Sequence, residues 1–90
     1  MPLYLIERRY AEQIFPDGPL VDVIEKANDD AEVRWLFSFL TADRRQTYCL
    51  YEALSPEALL AAARKVNLPA DVIVEVKQVS ADSIRTGTAA

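Results

Sequence analysis

The sequence predicts an α+β fold with the element order βαββαβ, and three features predict it. Four apolar runs read as strands, two segments have helical period, and turn or cap residues punctuate the joints between them. The 90 residues suit one domain. We place that domain over residues 1–80 and read residues 81–90 as a flexible C-terminal tail, because "SADSIRTGTAA" shows no period.

"LYLIERR", from Leu3 to Arg9, is the first predicted strand. Leu3 and Leu5 alternate with Tyr4 and Ile6. A loop, "YAEQIFPDG", ends in the turn signals Pro16, Asp17 and Gly18. Pro19 then sits where a helix tolerates it, in the first turn. Leu20, Val23, Ile24, Ala27 and Ala31 share one side of a helical wheel. Asp22, Glu25, Asp29 and Glu32 share the opposite side, so an amphipathic helix is expected over 19–31. Its acidic C-terminal end runs against the helix dipole. The carboxylates are either a solvated face or a weak site for a hard cation.

"VRWLFSFLT" returns to period two. Strict alternation places Val33, Trp35, Phe37 and Phe39 on one face and Arg34, Leu36, Ser38 and Leu40 on the other. The polar "ADRR" turns the chain, and "QTYCLYEA" pairs back as a hairpin. The second helix has the clearest boundaries. Ser55 is a good N-cap, Pro56 opens the first turn, and Arg64 and Lys65 suit the far end of the dipole. Asn67 suits a left-handed cap, and Pro69 stops continuation. "VIVEVKQV" is the last predicted strand.

This order is the split βαβ, or ferredoxin-like, arrangement: a four-stranded antiparallel sheet in order 4-1-3-2 with two helices on one face. The uncovered face should then be polar. Here both faces of three strands carry large apolar residues. A dimer joined sheet to sheet, a dimeric α+β barrel, is therefore expected.

Composition narrows the functions. Net charge is -4 and the pI about 4.7, which argues against nucleic-acid partners. No run of about 18 apolar residues is present, so no membrane span is expected. Charges at Glu7 to Arg9 come too early for a signal peptide. A single cysteine fits the reducing cytoplasm. With no histidine, the commonest neutral-pH base and transition-metal ligand are missing. No nucleophile elbow, phosphate loop, paired CxxC or HExxH motif occurs.

Three groups remain as candidate sites. Cys49 is either a small buried hydrophobe or a thiolate whose charge Arg8 or Arg9 on the first strand would support. Glu7 and Glu52 lie near strand ends and could converge on a cation or serve as acid and base; salt bridges with Arg8, Arg9, Arg34 or Arg44 account for them equally well. Tyr4, Trp35, Tyr48 and Tyr51 could wall a ligand pocket, with Phe37 nearby, or simply pack the core. We take Tyr4, Trp35, Tyr48 and Tyr51 as pocket candidates, and Glu7, Cys49 and Glu52 as metal candidates.

"PLYLIERR", "VRWLFSFLTADRRQTYCLYEA", "SPEAL" and "LPADVIVEV" together resemble a family of small bacterial domains of unknown function that includes an actinobacterial nickel-binding protein. The resemblance runs from Pro2 to about Val76. It implies a ferredoxin-like fold, a homodimer and nickel binding, and it supplies no ligand set position by position. Nickel prefers nitrogen or sulfur donors, and this chain offers Cys49, carboxylates, and tyrosine or backbone oxygens. The leading expectation is a noncatalytic, cytoplasmic, homodimeric binding protein for nickel, another metal ion or a small ligand. The alternatives are a cofactor-free monooxygenase or isomerase acting on a small organic molecule, and a purely structural dimer.

Overall fold

The computed structural model describes residues 1–87. Strands β1 (Leu3–Arg9), β2 (Arg34–Leu40), β3 (Gln46–Glu52) and β4 (Val72–Val76) form one sheet in the order β2-β3-β1-β4. Every pairing is antiparallel. Helices α1 (Gly18–Asp30) and α2 (Pro56–Lys65) connect the strands in the expected places. The α+β, ferredoxin-like architecture and its strand order therefore agree with the sequence reading.

Local chemistry sets the helix ends. The Asp17 side chain accepts a hydrogen bond from the Leu20 N–H at 2.9 Å and starts α1. Ser55 does the same for α2 through the Ala58 N–H at 3.3 Å. Both helices stop in the same way. Glu32 and Asn67 adopt left-handed φ values of 58° and 59°. In α1 the Val33 N–H reaches the Asn28 carbonyl at 2.9 Å, and in α2 the Leu68 N–H reaches that of Ala63 at 3.0 Å. These bonds satisfy carbonyls the helix leaves unpaired.

The buried face of α1 is rotated from the wheel drawn on the sequence. Ala27 and Asn28 are buried, whereas Val23 and Leu20 are exposed. Asn28 donates to the Glu25 carboxylate at 3.3 Å. β4 ends at Val76, three residues short of the expected Val79. The segment without sequence period holds a third short helix, α3 (Ala81–Arg85). Reciprocal bonds between Ser80 and Ser83 at 3.1 and 2.9 Å form a capping box there. The last part of the expected tail, residues 88–90, lies outside the described residues.

One irregularity decides the roles of the sheet aromatics. Trp35 pairs with Tyr51, yet Phe37 pairs with Leu50, so Leu36 is an extra residue in β2. This bulge breaks the alternation. Trp35 lies on the helix-covered side with Tyr4, Ile6, Cys49 and Tyr51, which pack with Leu59 and Ala62 of α2. Phe37 and Phe39 lie on the open side with Leu5, Leu50 and Val74. Their rings meet edge to face, 5.6 Å apart at 85°.

Candidate functional site

The open face is the first candidate surface. Phe37 is 51% exposed, Phe39 65% and Val74 47%. The polar edges of the face are held by local bonds. Gln46 donates to Glu7 at 2.6 Å and to the Tyr48 hydroxyl at 2.9 Å, and Arg9 donates to Glu7 at 3.1 Å. At the far end Glu52 pairs with Arg34 at 3.5 Å.

The structure does not bring the candidate metal ligands together. Glu7 pairs across the sheet with Tyr48, and Glu52 lies four residues further along β3. That spacing corresponds to about 13 Å of strand. Both carboxylates are near the C-terminal ends of their strands, and antiparallel pairing sends those ends in opposite directions. Cys49 is on the other side of the sheet, paired with Ile6 and buried. Among the described residues, no three of His, Cys, Asp and Glu form a group that could hold a metal ion.

The four pocket candidates also divide. Tyr48 belongs to the open face. Tyr4 is buried in the core cluster. Trp35 and Tyr51 line a partly open cavity of about 240 Å³ between the sheet, α1 and the loop before α1. Tyr48 and Glu7 pair on the open face, and this space lies beneath the opposite one.

The walls of the space are mostly hydrocarbon, from Ile14, Leu20, Val21, Ile24, Leu40 and Leu68. Its polar groups come from the sheet and from Tyr10, just past the end of β1. The Trp35 indole N–H donates to the Ser38 hydroxyl at 2.8 Å. The Tyr10 hydroxyl lies 3.2 Å from Thr47 Oγ1. Burial raises the Tyr51 pKa above its ordinary value, with the neighbouring Arg8 charge working against the shift.

Arg8 also lines this space and is 4% exposed. Its guanidinium donates to the Pro69 carbonyl and, at 3.4 Å, to the Tyr51 hydroxyl. It also sits 5.9 Å from the centre of the Tyr51 ring. All these partners are neutral, and none of the ion pairs among the described residues includes Arg8. The sequence reading gave Arg8 no site of its own. The signal was its phase: it continues the Tyr4, Ile6 alternation into the buried side.

A family model described as nickel responsive protein SCO4226-like matches residues 4–76. The fold is similar to the crystal structure of SCO4226 from Streptomyces coelicolor A3(2), with a TM-score of 0.74 and 21% sequence identity. The match covers 87% of this chain and 99% of that one. No curated protein matches the chain.

Proposed function

The chain belongs to the SCO4226-like family of nickel responsive proteins, and on that premise we propose that it is a small noncatalytic binding protein, a cytoplasmic homodimer joined through the open faces of its two sheets. The supporting observation is the open face itself. Phe37, Phe39, Leu5, Leu50, Val72 and Val74 form a continuous apolar surface where a sheet facing water would alternate to polar residues. Burying each large side chain contributes roughly 1.5–3 kcal/mol, enough in sum to offset the entropy lost on association. Helices α1 and α2 pack on the other face, so a second copy of the same open face is the fitting partner.

Among the described residues, the donors of one subunit do not fit a nickel ion. Cys49, the chain's thiol, is walled off from Glu7 and Glu52 by the sheet, and the two carboxylates lie far apart. A nickel ion bound by this protein would need donors from both subunits. Two measurements test the reading. Sedimentation equilibrium should show a dimer that dissociates only on dilution, and a monomer at every concentration would overturn it. Calorimetry of the metal-free protein with nickel tests the metal separately. Uptake of one ion per dimer would place nickel in its function, and no uptake would leave it a binding protein for other ligands.

No helix among the described residues is long and apolar enough to cross a membrane.

A further inference from the structure

The partly open cavity under the sheet combines two features that favour an occupant. A volume of about 240 Å³, lined largely by hydrocarbon, is poorly suited to water and well suited to an apolar group. A buried guanidinium with only neutral partners is a charge without compensation. Either feature alone would be ordinary. Together in one cavity they specify the chemistry of an occupant.

We infer that this cavity binds a small amphipathic anion, a carboxylate carried on a compact apolar body, with Arg8 as its counter-charge. The carboxylate end takes Arg8 N–H donors, within reach of the hydroxyls of Thr47, Tyr10 and Tyr51 that line the same space. A carboxylate suits a guanidinium better than any neutral acceptor does, because hydrogen bonds between ions are the stronger kind. The apolar end lies against Ile14, Leu20, Val21, Ile24 and Leu40. The volume suits a single ring or a short branched chain, below the usual range for drug-sized pockets of about 300–1,000 Å³. The inference rests on the protein being a binding protein, and not on its being a dimer or on its binding nickel.

The chain's one tryptophan gives the readout, because Trp35 lines the cavity and its indole N–H is bonded to Ser38 inside it. The full-length protein is titrated with phenylacetate, phenylacetamide and 2-phenylethylamine while the Trp35 indole N–H resonance is followed. Phenylacetate should shift it saturably. The amide should bind about tenfold more weakly or worse, since it forfeits the charged hydrogen bond, and the amine should not bind. Val21→Phe, which adds a ring to the space, should keep the fold and weaken phenylacetate binding. Arg8→Met should abolish the preference for the acid over the amide. No shift with phenylacetate, equal binding of acid and amide, or undiminished binding to Val21→Phe would each overturn the inference. So would a folded Arg8→Met protein that still prefers the acid. Should Arg8→Met fail to fold, the three probes on the native protein decide. Sedimentation of that protein reads the dimer independently, so the two proposals can fail separately.

Discussion

Ile6 is wholly buried at the centre of the sheet, between Cys49 and Ile73 on the neighbouring strands. Ile6→Ala should lower the unfolding free energy by about 2–5 kcal/mol, read from urea denaturation. Cys49, beside it, faces the same core. Cys49→Ala should leave the protein folded at the cost of a small cavity, and Cys49→Ser should be worse, because a buried hydroxyl needs a partner. Thiol labelling of the native protein should be slow and become fast in denaturant. Rapid labelling without denaturant would contradict the placement. Asp43 gives the pH dependence. Hydrogen bonds from the Thr41 hydroxyl and the Arg45 N–H hold its carboxyl below the ordinary aspartate pKa. A group with a lowered folded-state pKa contributes stability above its unfolded pKa and loses it as pH falls through the folded value. Asp43→Asn should therefore flatten the acid side of the stability curve and leave its neutral side with the same slope. At this scale the sequence showed residue types and not their neighbours. Glu7, Cys49 and Glu52 looked like a set because strand register, unreadable from one chain, decides what meets what.

At the scale of elements, the sequence was most legible where a residue acts on its own backbone. Ser55 and Pro56 marked the start of α2 and Asn67 its end, and each does its work locally. α1 was harder. Its apolar stripe was drawn through Leu20 and Val23, but both are exposed, and Asn28 takes a buried place instead. Packing against β2 and α2 chose the face, and a wheel knows nothing of packing. α3 went unread because five residues are too few to show a period. The two helix stops also suggest a comparison. Asn67 is one of the few residues that accept a left-handed backbone, whereas Glu32 has no such tolerance and adds charge at the negative end of α1. Glu32→Gly should stabilise the protein by about 0.5–1 kcal/mol and raise the melting temperature by a few degrees. A lower melting temperature would show that the Glu32 side chain makes a contribution larger than its strain.

For the molecule as a whole, fold class and strand order could be read because hydrophobic period and element order leave few alternatives. The two-faced apolar pattern was also visible, and the structure assigns it. Trp35 belongs to the covered side, so Trp35→Ala should weaken folding rather than the subunit contact. Phe39, 65% exposed on the open side, is the better probe of assembly. Phe39→Lys should give a folded monomer, with native far-UV circular dichroism and halved mass in light scattering. A Phe39→Lys protein that remains a dimer would place the contact elsewhere. The cavity and Arg8 were the least legible features, since the cavity is lined by four separate segments and belongs to no one stretch of sequence.

The extra residue in β2 also bears on how this chain can change length. Leu36 has no counterpart on β3, so every residue after it already sits one step out of phase with those before. Removing Leu36 alone would leave Trp35 opposite Tyr51 and Phe37 opposite Leu50, now in an unbroken ladder. The strand would lose local twist but keep both sides' assignments. Removing Ser38, two positions on, would instead move Phe39 to the covered side and Leu40 to the open one. One codon's deletion should thus be absorbed, and its near neighbour should be ruinous. Soluble, cooperatively melting protein from the first deletion and aggregated protein from the second is the expected pair of results.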